Sequence, residues 1–165
     1  MRPVTEPEIR ACFINCSKGE AQRLNLPRDF AEQQPAWPDL DYLGWRDPGA
    51  PDRAYLVADR EGLIGISLRT ASSGGRGFTA RSICTLCKTT RTGGGVALLT
   101  ARRAGESGRN GNTVGQYICS DLACSLYVRG EKTSAGTLLD ETLDTPTRIA
   151  RLEKGLDAFL AKITA

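Results

Sequence analysis

The sequence predicts an α+β fold: a short helical and irregular region over residues 1–53, then a β-rich unit over 54–165 that ends in a helix. Three observations carry this expectation. Four short segments rich in β-branched and aliphatic residues are separated by turn signals. One long C-terminal segment repeats its apolar residues at helical spacing. Four cysteines stand in two close pairs inside the β-rich part.

Thr5-Glu6-Pro7-Glu8 opens the first helix, with Thr5 able to cap, Glu8 three residues on and Pro7 tolerated in the first turn. Ile9, Cys12, Phe13 and Cys16 follow at helical spacing, and a second short helix is expected from about Glu20 to Leu24. From Asn25 to Arg53, prolines at 27, 35, 38, 48 and 51 break regular structure. Trp37, Trp45, Leu40, Tyr42 and Leu43 make this a packed irregular segment rather than a flexible linker. Ala54–Ala58 and Leu63–Leu68 read as strands around an Asp59–Gly62 turn, and Phe78–Ile83 as a strand-like stretch. Val96–Thr100 and Thr113–Ile118 read as a hairpin around a polar Glu106–Asn112 loop. Thr145-Pro146 starts the last helix, whose stripe is Ile149, Leu152, Leu156, Phe159, Leu160 and Ile163. This helix is expected to cover one face of the sheet.

Composition narrows the chemistry. There is no histidine, which removes Ser–His–Asp and Cys–His catalysis and histidine-ligated metals together. No run of about 18 apolar residues is present, and the N-terminus lacks the basic-then-apolar pattern of a signal peptide, so a cytoplasmic protein without a membrane partner is expected. In that setting six cysteines point to metal or free thiols rather than disulfides. The net charge of +3 is unevenly spread: residues 60–133 hold eleven Lys and Arg against four Asp and Glu.

The cysteines are Cys84-x2-Cys87 and, 31 residues later, Cys119-x4-Cys124. Zinc takes four soft ligands at tetrahedral corners, and four thiolates leave no open position for water, so one structural Zn2+ is expected. Knuckle, hairpin and a short helix (about Asp121 to Val128) carrying the last ligand is the order of a treble-clef zinc finger. A redox pair is disfavoured, because Lys88–Gly95 is a poor helix start after Cys87. Cys12 and Cys16 read as small buried apolar groups.

Other features have plainer readings. Ser73–Gly77 and Gly93–Gly95 lack the Gly-Lys-Ser/Thr ending of a phosphate loop and read as turns. Asp39 with Asp41, and Asp140, Glu141 and Asp144, read as solvated or helix-capping groups, with no nucleophile or open metal beside them. An enzyme with a small-molecule substrate is therefore not expected. Arg102, Arg103 and Arg109, with Lys88, Arg91 and Arg129, offer a basic face for RNA or an acidic protein.

The stretch Ile83–Cys87, continuing through Gln116-Tyr117-Ile118-Cys119-Ser120-Asp121-Leu122-Ala123-Cys124-Ser125, resembles the C-terminal treble-clef domain of the elongation-factor-G-binding proteins. Asp41-Tyr42-Leu43-Gly44-Trp45-Arg46-Asp47-Pro48 is similar to the actinobacterial-type members, and the resemblance runs from about Tyr42 to Ile163. It implies a non-enzymatic adaptor that docks on elongation factor G and promotes its release from the ribosome, as in the fusidic acid resistance (FusB-type) members. On charge and position, Arg102, Arg103, Tyr127 and Arg129 are the expected partner-binding residues. The alternative is an RNA- or rRNA-binding zinc module.

Overall fold

The computed structural model describes residues 1–27, 30, 35–71, 81–133 and 141–165. The Ser72–Gly77 loop, Phe78 and Asp140 lie outside them. The chain starts with two short helices, α1 (Glu6–Ala11) and α2 (Lys18–Arg23). Both begin with a capping box. Thr5 donates its backbone N–H to Glu8 at 2.8 Å, while Ser17 Oγ accepts from the Glu20 N–H at 3.1 Å and the Ser17 N–H donates to Glu20 at 2.8 Å. Ser17 is thus the N-cap of α2, which begins two residues ahead of its expected start at Glu20.

Strands β1 (Leu43–Asp47), β2 (Ala50–Asp59) and β3 (Leu63–Thr70) come next, followed by the two-residue strands β4 (Ser82–Ile83) and β5 (Thr90–Arg91). Then come β6 (Val96–Arg102), α3 (Gly105–Arg109), β7 (Thr113–Cys119), α4 (Cys124–Val128) and α5 (Thr145–Thr164). Among the described residues, five strands form one antiparallel sheet in the order β1-β2-β3-β6-β7, and β4 with β5 forms a small separate ribbon.

Three features differ from the sequence expectation. The irregular segment contains strand β1. Asp47 terminates it by accepting from Asn25, Gly49 and Ala50 through one carboxylate oxygen and from Tyr55 Oη through the other, which closes the turn into β2. The boundary expected between residues 53 and 54 falls inside β2, whose side chains alternate between two cores. The polar loop of the β6–β7 hairpin holds the helix α3, because Gly108 packs so closely on Arg103 that a Cβ there would lie 1.8 Å from its carbonyl oxygen.

The sheet is covered on both faces. Ala54, Leu56 and Ala58 of β2 point to one core with Ile66, Leu68, Leu99, Ala101 and Ile118, closed by Leu152, Leu156, Phe159, Leu160 and Ile163 of α5. Ile149 packs at its edge. Asp144 caps α5 by accepting from the Thr147 N–H at 3.0 Å. Tyr55 and Val57 point the other way and meet Val4, Ile9, Leu24, Trp37, Leu43 and Trp45. The period-2 alternation of one strand therefore requires both an N-terminal and a C-terminal layer. No helix among the described residues is long and apolar enough to cross a membrane.

Gly44 of β1 marks the contact between the sheet and the cysteine-bearing loop, since a Cβ there would lie 2.7 Å from Leu122 Cβ and 2.8 Å from the Tyr42 ring. Gly44→Ala is expected to destabilise the fold by about 1–3 kcal/mol through overpacking. Urea unfolding checks this; an unchanged midpoint would mean that the loop yields freely.

Candidate metal centre

Two tight turns bring the four cysteines together. Cys84 follows β4, and the turn closes when the Lys88 N–H donates to Cys84 O at 2.9 Å and the Cys84 N–H donates to Thr89 O at 3.0 Å. Cys119 ends β7, the Leu122 N–H donates back to Cys119 O at 2.9 Å, and Cys124 is the first residue of α4. Among the described residues, the two non-glycine residues with positive φ are Lys88 at 60° and Leu122 at 57°, one in each turn. Left-handed backbone at such residues costs about 1–3 kcal/mol and persists where its surroundings over-determine it. Here the determinant is convergence of the sulfurs.

The Sγ atoms of Cys84, Cys87, Cys119 and Cys124 all lie within 4.8 Å of one another. Cys84 and Cys124 are 3.7 Å apart and Cys87 and Cys119 3.6 Å. A tetrahedron with metal–sulfur bonds of about 2.3 Å has edges of ~3.8 Å, so the spacing fits zinc directly. All four residues are buried. Without a cation these thiols restrain one another. Hydrogen bonds from Cys119 and then Cys124 hold the Cys84 and Cys87 thiols below the ordinary range. Cys119 and then Cys84 push Cys124 up, while for Cys119 the lowering effect of Cys124 is outweighed by Cys84 and Cys87. A divalent cation lets all four act as thiolates. The set of four soft ligands with no vacant corner is that of a structural zinc site.

The surroundings suit a centre with net negative charge. Among the described residues the buried Tyr42 hydroxyl has no hydrogen-bond partner, and burial and then the Cys124 sulfur push its pKa up, so it stays neutral near the cluster. Arg91 lies over the Tyr127 ring at 4.4 Å and pairs with Asp121 at 3.2 Å. Burial opposes its charge, but the Cys119 sulfur and Asp121 outweigh that. Asp121 also accepts from Tyr127 Oη at 2.7 Å and from Lys132 at 2.9 Å. From α5, Arg151 donates to Cys87 O at 3.3 Å, which ties the last helix to the first turn. Partners of this kind around metal ligands orient them and moderate their charge.

The four expected partner-binding residues separate. Arg102 is exposed and Arg103 half-buried, at the end of β6 away from the cysteines. Tyr127 is buried, and Arg129 holds Asp41 in a bidentate pair at 2.7 and 3.0 Å. These two are committed inside the protein, so their contribution is to hold α4 in place. Asp41, read from sequence as solvated or capping, is buried in that pair, and its N–H donates to Ser125 Oγ at 2.9 Å. Asp41 and Arg129 are 88 residues apart, and no local pattern could have joined them. Cys12 and Cys16 are half-buried rather than fully buried, and burial raises both thiols to about 11, which favours the neutral thiol. Among the described residues, the four-cysteine group is the one cluster able to hold a metal ion.

A family model described as FBP C-terminal treble-clef zinc-finger matches residues 8–163. The match begins inside α1 and ends inside α5, so it spans both layers around the sheet. No curated protein and no solved structure matches the chain.

Cys119→Ser is expected to lose zinc and unfold the part of the chain built on the two turns. Structural zinc contributes about 10–16 kcal/mol, as large as the whole stability of a domain. Metal analysis and circular dichroism read the outcome, and full zinc content with an unchanged melting curve would exclude this role. Arg129→Ala leaves Asp41 buried and unpaired and is expected to cost about 3–5 kcal/mol in chemical denaturation. A loss below about 1 kcal/mol would mean that water reaches Asp41 freely.

Proposed function

The chain belongs to the FBP C-terminal treble-clef zinc-finger family, and from that premise we propose that it is a non-enzymatic zinc-stabilised adaptor that binds translation elongation factor G in the cytoplasm. The observation that carries the reading is the family match over nearly the whole chain, with the complete four-sulfur site at its centre. Release of the factor from the ribosome is the activity this binding would serve.

The docking surface is the rim of the first metal turn. A protein interface needs an apolar, preferably aromatic, anchor within a polar surround. Ile83 and Tyr117 are exposed at 55% and 40%, two of the three large apolar side chains exposed among the described residues, the third being Leu143. They flank a firm junction, where Thr85 donates to Tyr117 O through its N–H at 2.8 Å and its hydroxyl at 2.6 Å. The zinc turn and β7 are joined at that point, so the anchors are held without help from a partner, and less ordering entropy is lost on binding.

Calorimetric titration of the zinc-loaded protein into purified elongation factor G tests the reading. One-to-one binding that persists at high salt is expected, with Tyr117→Ala weakening it about 30-fold while zinc content stays full. No heat at any salt with folded, zinc-loaded protein would exclude the factor as partner.

A further inference from the structure

At the end of the β6–β7 hairpin away from the metal, three contiguous hollows form one groove. Cys16 and Glu20 line all three, and Arg102 and Arg69 each line two. The largest has a volume of about 330 Å³. Six arginines surround the groove: Arg23, Arg53, Arg69, Arg102, Arg103 and Arg109. One carboxylate, Glu20, faces them, and it is already engaged by the backbone N–H and hydroxyl of Ser17.

The arrangement is built into the sheet. Arg53 of β2 and Arg69 of β3 are direct register partners, and Arg69 in turn pairs with Thr100 of β6. Arg102 is two residues along β6 from Thr100, on the same face. Three arginines thus cross three neighbouring strands, about 4.8 Å apart in the pairing direction. Like charges directly opposite each other on a sheet are destabilising. Among the described residues this row has one ion pair, Arg69 with Asp52 at 3.8 Å, both well exposed. Glu20 also attracts Arg102 and Arg69 through space, so two carboxylates stand against six arginines and the groove keeps a net positive charge.

The backbone beneath it is fixed. Pairing of β3 with β6 stops at Leu68 and Ala101, and the buried Asn15 side chain takes the next rung. Its amide donates to Ser67 O at 2.9 Å and Arg102 O at 3.1 Å, and its oxygen accepts from the Ser67 N–H at 2.7 Å. The groove is therefore preorganised at the point where Arg102 emerges.

We propose that this groove binds the phosphodiester backbone of RNA. Guanidinium groups match phosphate geometry in paired hydrogen bonds. Ser67, Thr100 and Thr113 line the groove among the arginines; the Thr100 hydroxyl donates to Arg69 O at 3.2 Å and keeps its acceptor capacity for a ribose 2′-hydroxyl. The single aromatic residue lining the groove, Tyr55, is buried, so no ring is presented for stacking a base, and recognition is of backbone rather than sequence. Its apolar lining is limited to the half-buried Ile14 and the buried Leu24 and Tyr55, less than the apolar centre a protein partner would use. The inference is independent of the elongation factor reading, which uses the opposite end of the hairpin.

Fluorescence anisotropy of the zinc-loaded full chain with a labelled mixed-sequence 20-nucleotide RNA tests it. For about four phosphate contacts the log–log salt slope should be near −3, a weakening of about 50-fold between roughly 50 and 200 mM salt. Arg53→Gln with Arg69→Gln and Arg102→Gln should weaken binding at least tenfold and flatten the slope to about −1, with a melting temperature no lower than that of the parent. Lys154→Gln, on the exposed face of α5, should change neither. No binding at low salt, equal loss in Lys154→Gln, or an unaffected triple variant would overturn the proposal. Equal affinity for DNA of the same sequence or for polyglutamate would overturn the assignment to RNA.

Discussion

The convergence of four sulfurs within 4.8 Å is the constraint on which the rest of the C-terminal architecture depends. Cys84 and Cys87 come from a turn, Cys119 from the end of a strand and Cys124 from the start of a five-residue helix. None of these pieces is long enough to hold itself. A two-residue ribbon and a single helical turn are marginal alone, because nucleating them orders several residues for one or two hydrogen bonds. A metal supplies the missing free energy and justifies the left-handed backbone at Lys88 and Leu122. It also sets where α4 lies, and α4 and the first turn provide the surface on which α5 packs. The long helix then seals the sheet.

The sheet couples that centre to the N-terminal segment. Tyr42 precedes β1, packs in the α5-side core and places its hydroxyl beside the Cys124 sulfur, whereas Leu43 and Trp45 of β1 point to the opposite layer. Arg46, on the same strand, donates to Ser120 O at 2.8 Å, inside the second metal turn. One short strand thus touches both cores and the metal-bearing loop. A cut between residues 53 and 54 would pass through β2 and separate groups that depend on each other.

Much of the site was legible in the sequence because metal ligation is a local, type-specific signal: two cysteine pairs at knuckle spacing have few other uses. The hairpins and the terminal helix were legible for a similar reason, since their periodicity and caps lie within a few residues. What could not be read were features created by distant pairing. Strand β1 was hidden by surrounding prolines and became a strand only through its partner β2. The Asp41–Arg129 pair joins residues from opposite ends of the fold, and its sequence signature is that of two ordinary surface charges. Tyr127 and Arg129 looked available for a partner because residue type reports charge and shape but not commitment. The loop between β6 and β7 became helical through the close approach of Gly108 to Arg103, which depends on the hairpin geometry.

The excess of positive charge across residues 60–133 illustrates the same limit and bears on function. As a number it suggests a basic face around the zinc. In three dimensions it divides. Arg91 turns inward to Asp121 and the Cys119 sulfur, where it offsets negative charge that the metal leaves over, and the exposed Lys132 pairs with the other oxygen of Asp121. Arg69, Arg102, Arg103 and Arg109 lie at the far end of the hairpin, joined by Arg53 and Arg23 from outside the basic stretch. The first group has a structural reason to be cationic, because a tetrathiolate zinc centre carries two net negative charges. The second has no such reason, and the facing of Arg53 and Arg69 opposes folding. Positive charge that the fold does not need, held on a backbone fixed by Asn15, indicates a surface selected for what it meets outside the chain. The β6–β7 hairpin therefore has two differently built ends, a metal-braced rim with exposed apolar groups and an arginine-lined groove. The two proposals, a protein docked at one end and RNA contacted at the other, rest on that separation.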